Sequence, residues 1–249
     1  MLKDNNRDFV RLADYIYLNR ILKLKGSRLS RLFQDPEMSI SKISTIERSS
    51  LIKLLIPNTN LKAYELIDKL YNFDFNSEGY KIIVEMLKIS EDKGIKVYSP
   101  LDKQIPKLFE RIPSVVEDVV FIKGIILDSD VRSYSICGTR EPTKDAILKT
   151  QQIAQKFAKQ GFTLINGFAK GIDSEAFKSQ IKNKGRYIGV LGSGMENIYP
   201  PENKPYVDEI IENGAFISQR LVNERADQQS LRNRNRISAE LSIGSIFIE

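Results

Sequence analysis

Two short stretches of this chain bring together residue types that suit the holding of an anion. Gly138-Thr139-Arg140 follows a predicted strand, Tyr134-Ser135-Ile136-Cys137, and Asn166-Gly167-Phe168-Ala169-Lys170-Gly171-Ile172-Asp173 follows another, Phe162-Thr163-Leu164-Ile165. In each turn a glycine lets a ligand approach the backbone, and a cation, Arg140 in one and Lys170 in the other, stands beside it. Helices are expected to leave both turns, so their free N–H groups and positive dipole ends face the same place. A third turn, Gly192-Ser193-Gly194, follows a strand predicted from Tyr187 to Leu191, and the run Arg232-Asn233-Arg234-Asn235-Arg236 adds three arginines. Phosphate is the anion that this chemistry suits.

Singly, each turn is weak, because glycines at strand ends more often serve tight turns than ligands. Gly192-Ser193-Gly194 lacks the third glycine of a dinucleotide fingerprint, no acidic residue follows the second strand to hold a ribose, and Walker A spacing is missing. The cations shift the balance. Read as the first turn of a short helix, the three arginines oppose its dipole at about 0.3–1 kcal/mol each, a placement that makes sense if an external anion occupies the site. Arg140, Lys170, Arg232, Arg234 and Arg236 are expected over one rim, and several separated cations fit phosphates along a nucleic-acid strand better than one mononucleotide. Asp173 and Glu202 read as a helix cap and a turn residue rather than an acid/base pair. Histidine is absent, which removes the commonest general base, the serine triad and histidine-bearing zinc sites. Neither catalysis nor a metal or cofactor is expected.

The elements that position these residues follow from the alternation that begins at Val131. Thr143 reads as the N-cap of a helix that Gly161 stops, further strands and helices follow in turn, and Ile246-Phe247-Ile248 is a fifth strand. Such alternation predicts an α/β fold, a Rossmann-like doubly wound parallel sheet with helices on both faces. An entry segment, 93–130, contributes short strands near Ile95 to Tyr98 and Val119 to Ile122 and a brief helix from Ile105 to Arg111, expected to pack on the edge of that sheet. Residues 1–92 read as a small all-α domain of three to five short helices, with Phe9, Leu12, Ala13 and Ile16 as one apolar stripe and Asp35-Pro36, Pro57-Asn58 and Asn76-Ser77 as punctuation. The expected division is therefore 1–92 and 93–249, with the core of the second domain at 131–249. Lys23, Lys25, Arg28 and Arg31 form a basic cluster better read as a solvated face than as a nucleic-acid site.

Charge permits a polyanionic partner without requiring one: 38 Lys and Arg against 32 Asp and Glu leave +6 over 249 residues. The single Cys137 excludes an internal disulfide and reads as a small apolar core residue. No apolar run approaches the roughly 18 residues of a membrane span, and the charged N-terminus lacks a signal's apolar stretch, so a cytoplasmic protein is expected, without a membrane partner.

In order along the chain, Gly138-Thr139-Arg140-Glu141-Pro142-Thr143, Asn166 to Asp173, Leu191-Gly192-Ser193-Gly194, Ile198-Tyr199-Pro200-Pro201-Glu202-Asn203 and Arg234-Asn235-Arg236-Ile237 resemble the motifs of the DNA-processing protein A family, also called Smf, of bacterial transformation. The resemblance covers Gly94 to Glu249. It implies a cytoplasmic protein that binds single-stranded DNA, protects it in transformation and recombination, and helps load RecA onto it, often as a homodimer. It puts the phosphate grip on Arg140, Lys170, Arg234 and Arg236, with Gly138, Gly167 and Phe168 lining the pocket, unless Phe168 points into the core. Thr139, Asn166, Gly192, Ser193, Gly194, Arg232 and Asn235 complete the expected site. The chain departs from the family at Phe177, where histidine is usual, and at Leu231-Arg232, where Phe-Pro is usual. The family also continues past the fifth strand, so the chain reads as a fragment or shortened variant whose last strand leaves one sheet face bare. Two rival readings stand beside this one. A nucleotide-cleaving enzyme of the lysine-decarboxylase-like group would need a Pro-Gly-Gly-x-Gly-Thr turn, which the sequence lacks. A nucleotide-sensing module, binding a small phosphorylated ligand without catalysis, fits the same turns.

Overall fold

The computed structural model describes residues 6–24, 27–55, 61–112 and 118–249. Lys25, Pro57 and Asn58 lie outside them, as do the side chains of Arg28 and Leu61. The chain forms two compact units, one built on Met1–Lys93, Ser99–Lys103 and Glu117–Val119, the other on Gly94–Tyr98, Gln104–Val116 and Val120–Glu249.

The first unit is helical: α1 (Asn6–Arg20), α2 (Ser27–Leu32), α3 (Ile40–Ile43), α4 (Arg48–Leu55), α5 (Leu61–Tyr71) and α6 (Glu78–Asp92). Among the described residues six helices stand where three to five are expected, because a helix as short as α3 is one turn long and carries no readable period. Leu12, Ala13 and Ile16 of α1 are buried. Between them Asp14, also fully buried, accepts hydrogen bonds from the Ile40 N–H (2.8 Å) and the Tyr80 hydroxyl (2.7 Å), tying α1 to α3 and α6.

The second unit is a sheet with helices between its strands. Its elements are β1 (Lys96–Tyr98), β2 (Val120–Gly124), β3 (Ser133–Gly138), α7 (Lys144–Lys159), β4 (Thr163–Asn166), α8 (Ile172–Lys182), β5 (Tyr187–Leu191), α9 (Val207–Asn213), β6 (Ala215–Ser218), α10 (Gln228–Leu241) and β7 (Ser245–Ile248). Their order across the sheet is β1-β2-β6-β5-β4-β3-β7. Strands β6, β5, β4, β3 and β7 run parallel, and β2 then β1 extend the β6 edge antiparallel. The entry strands thus cover one edge of a Rossmann-like sheet.

Period-2 alternation separates two cores. Ile165, Ile188, Val190, Ala215 and Ile217 face an aliphatic cluster closed by Ile237 and Leu241 of α10 and by Leu108, Phe109 and Ile112. Tyr187 and Phe216, one residue out of phase, join Phe168 and Phe177 in an aromatic cluster with ring centroids 4.9–6.2 Å apart. Gly189 between them is obligatory on steric grounds, since a Cβ there would lie 2.5 Å from the Phe216 ring. With both faces covered, β5 is buried at every position, so it reads in sequence as a nearly unbroken apolar run.

Two helix starts differ from expectation. Asp173 is the second residue of α8, whose N-cap is Gly171 at φ 76°. Helix α10 begins at Gln228 behind a capping box in which Asp227 accepts from the Ser230 N–H (2.7 Å) and Ser230 Oγ accepts from the Asp227 N–H (2.9 Å). The arginines therefore lie past the first turn and oppose no dipole end. At the far edge β7 pairs with β3 and, among the described residues, with no other strand, and Phe247 is 80% exposed. Among the described residues, no helix is long and apolar enough to cross a membrane.

Candidate nucleic-acid interface

The turns after β3 and β4 are locked together. Ile172 N–H donates to the Thr139 carbonyl (3.1 Å), and a Cβ on Gly171 would lie 2.3 Å from that oxygen and 2.6 Å from Arg140 Cα. Only glycine, at this φ and this clearance, lets the first turn close on the second and set Arg140 beside Lys170. Gly138 serves the sheet: a Cβ there would lie 1.8 Å from the Ile248 carbonyl of β7.

The turn after β4 is held from beneath. Asn166 is buried and fully used: its Nδ2 donates to the carbonyls of Ile136 (3.3 Å) and Asp173 (3.2 Å), and its Oδ1 accepts from the Phe168 N–H (3.1 Å) and the Tyr187 hydroxyl (2.8 Å). Phe168, at φ 57°, drops its ring into the aromatic core with no exposed surface. Both side chains point inward, away from solvent. Asp173 accepts from the N–H groups of Gly167 (3.0 Å) and Ala169 (3.4 Å). The loop after β5 is tied to this turn in its own way, through Asn203 Nδ2 donating to the Phe168 carbonyl (3.1 Å) and an ion pair between Glu202 and Lys170. That exposed pair raises the Lys170 ammonium and lowers the Glu202 carboxyl, and as a surface contact it exchanges readily for another anion.

Over these turns lies a cleft of about 650 Å³ lined by Arg140, Gly167, Ala169, Lys170, Gly192, Ser193, Lys204, Arg225, Leu231 and Arg234 among others. Its size is that of ordinary small-molecule pockets. Glu196 is the one acid lining it among the described residues. Arg234 is the deepest cation. Its side chain is 9% exposed, its Nη1 lies 3.7 Å from Asp173 Oδ2, and its Nε is buried without a hydrogen-bond partner. Burial raises Asp173 against the opposing pull of Arg234 and the two turn N–H groups, and burial likewise lowers Arg234 against the pull of Asp173. At 3.7 Å the two side chains make no hydrogen bond, so the guanidinium keeps donors unspent on Asp173.

Gly167 makes room for that guanidinium, because a Cβ there would lie 0.9 Å from Arg234 Nη1. Gly167→Ala is expected to expel the Arg234 side chain, lowering the stability of the unit by leaving Asp173 without its cation and weakening oligonucleotide binding per folded molecule by about tenfold, the size of one charged hydrogen bond. Circular dichroism and fluorescence anisotropy together check this.

Of the expected site, then, Arg140, Gly167, Lys170, Gly192, Ser193 and Arg234 line one cleft. Gly138, Thr139, Asn166, Phe168, Gly194, Arg232, Asn235 and Arg236 do not line it. Gly194 is a close-approach residue, its Cβ position 2.0 Å from the Leu221 carbonyl, and the Ser193 hydroxyl is spent on the Asn197 carbonyl (2.7 Å). Arg232 and Arg236 fail for a helical reason. Residues two apart on a helix point roughly 200° apart, so Arg234 faces the cleft with Leu231 while Arg232 and Arg236 share another face; Arg236 pairs there with Glu240 at 3.9 Å. Lys204, Arg225 and Tyr199 line the cleft unanticipated, and only Tyr199 lies within a motif singled out in the sequence. Cys137 is half-buried, and burial pushes its thiol up, away from the thiolate form. Among the described residues no cluster of His, Cys, Asp or Glu could hold a metal ion.

A sequence profile of the family described as DNA recombination-mediator protein A matches residues 96–249. The chain is 30% identical over 190 residues to protein Smf of Synechocystis sp., a match covering 75% of this chain and 46% of that protein. It is 28% identical over 216 residues to DNA processing protein DprA of Bacillus subtilis, covering 86% of this chain and 68% of that one. The aligned stretch thus spans about half to two thirds of these relatives. Among solved structures, DprA of Streptococcus pneumoniae superposes with a TM-score of 0.68 at 20% identity over 99% of this chain and 78% of its own. DNA processing protein A of Helicobacter pylori, solved to describe its single-stranded DNA binding mode, superposes at 0.53 with 25% identity over 61% of this chain and 68% of its own.

Proposed function

Because the chain belongs to the DNA recombination-mediator protein A family, we propose that the cleft at the carboxyl ends of β3 to β6 binds single-stranded DNA through its phosphates, without chemistry on the strand. The observation that carries this reading is Arg234, a buried guanidinium with an unsatisfied Nε on the floor of a cleft ringed by Arg140, Lys170, Lys204 and Arg225. Several cations at separate points of one rim suit successive phosphates, and the helix starts behind them favour negative charge. The Helicobacter pylori relative, whose structure concerns single-stranded DNA, supports the same ligand class.

The test is charge removal at the rim. The Arg140→Ala, Lys170→Ala double variant is expected to weaken oligonucleotide binding by tenfold or more for all sequences alike, and to make the salt dependence shallower by about 1.4 in log–log slope, two phosphate contacts' worth on a single strand. Unchanged affinity and slope, measured by anisotropy titration at two ionic strengths, reject the reading. A nucleotide-sensing cleft would instead bind mononucleotides as tightly as strands, with a shallow slope. Resemblance to the family extends the reading to protection of incoming DNA in the cytoplasm, to the loading of RecA and to work as a homodimer, which nuclease protection, RecA filament assembly and light scattering test in turn.

A further inference from the structure

We infer that Tyr199 is a stacking platform for an unpaired nucleobase, the feature by which this cleft would select single strands over duplex. The inference rests on the strand-binding reading. Tyr199 is the one aromatic lining the cleft among the described residues, and it is 62% exposed. By contrast Phe168, Phe177, Tyr187 and Phe216 are buried together, and Tyr206 packs half-buried on Phe177 outside the cleft lining. An isolated exposed tyrosine is ordinary on a surface. What distinguishes this one is its mounting.

The loop that carries it is pinned on both sides. Before it, Ser193 Oγ donates to the Asn197 carbonyl (2.7 Å) and Asn197 Nδ2 to the Asn223 carbonyl (2.6 Å). After it come the Glu202 ion pair to Lys170 and the Asn203 hydrogen bond to the Phe168 carbonyl. A pinned backbone therefore holds a flat, solvent-facing ring in the same cleft that Lys170 and the other cations line. Apolar Ile198 and Leu231 line the same cleft. Cations for a backbone with one fixed ring for a base is the arrangement of sequence-tolerant single-strand binding. A duplex, whose bases are already paired and stacked, offers no free face to it.

The experiment compares a labelled oligothymidylate with an abasic phosphodiester of equal length and charge, using the full chain. The wild-type protein is expected to prefer the thymidylate, Tyr199→Ala to lose about 5- to 150-fold on it while binding the abasic strand unchanged, and Tyr199→Phe to keep the preference. The sequence has no tryptophan, so Tyr199→Trp creates a single indole whose emission should fall with the thymidylate and not with the abasic strand. Equal losses of Tyr199→Ala on both polymers would make the residue a loop support and overturn the inference, as would no loss on either. If the wild type binds neither polymer, the strand reading itself fails, an outcome distinct from both.

Discussion

Arg234→Ala is expected to destabilise the sheet unit by about 3 kcal/mol, because it strands the Asp173 carboxylate in a buried site. Asp173 is 5% exposed and Arg234 8%, so in the intact protein each is the other's charge partner away from water. The pH dependence gives the prediction its signature. Burial already raises Asp173 above its ordinary value of 3.8, so the folded state holds that proton more tightly than the unfolded chain does. The corresponding stability is complete below the unfolded value and is lost as the pH rises through the folded one. Removing Arg234 removes the largest influence pulling Asp173 down, its folded value climbs further, and the deficit of the variant should therefore be smallest in acid and widen toward neutral pH. Asp173→Asn in the Arg234→Ala background should restore much of the loss, since an amide oxygen still accepts from Gly167 and Ala169. Urea denaturation across the acid range decides the matter; a deficit constant with pH, unrelieved by asparagine, would show that the pair is not coupled in this way. Strand binding by the folded variant should fall with it, because the same guanidinium floors the cleft.

Asp130→Ala is expected to cost about 3–5 kcal/mol, the range for breaking a buried ion pair, and yet to leave binding per folded molecule unchanged. Asp130 has no exposed surface, and Arg186 meets it with two parallel hydrogen bonds of 2.8 Å, Nε to Oδ1 and Nη2 to Oδ2. The carboxylate also accepts from Thr163 Oγ1 (2.7 Å) and the Leu127 N–H (2.7 Å), while Arg186 donates to the carbonyls of Ile125 (2.8 Å) and Asn213 (3.2 Å). The network joins the turn before β3 to the starts of β4 and β5 and the end of α9. It sits at the amino ends of the parallel strands, whereas the cleft lies at their carboxyl ends, so stability and binding should separate. Asp130→Asn keeps two of the accepted hydrogen bonds and should lose less. A thermal melt and an anisotropy titration on the same sample test both halves, and a variant that stays stable or loses affinity after correction for its folded fraction contradicts them.

Backbone chemistry that acts over a few residues was legible in the sequence. Thr143 caps α7, its Oγ1 accepting from the Ala146 N–H at 3.2 Å, and Gly161 follows at φ 73°, because both depend on neighbours three or four positions away. The strands near Tyr134, Thr163, Tyr187, Ala215 and Ile246 were equally plain as apolar runs between turns. The start of α10 lies before the alternating Arg and Asn residues, because the device that starts the helix is the Asp227 and Ser230 box that precedes them. Asn166 and Phe168 sit in a motif beside glycines and look like ligand contacts. Which way such side chains turn depends on Tyr187 and Phe216, separated from them in sequence and adjacent only across the sheet.

By itself the sequence determined an alternating α/β unit with glycine turns and cations at the strand ends, since strand period, caps and turn residues are properties of short segments. Only the tertiary structure decided that Arg234 rather than Arg232 or Arg236 reaches the cleft, that Lys204, Arg225 and Tyr199 join it, and that Asp173 answers Arg234 from below. Those choices rest on helix phase against a sheet and on steric room at Gly167 and Gly171, and neither exists until distant segments meet.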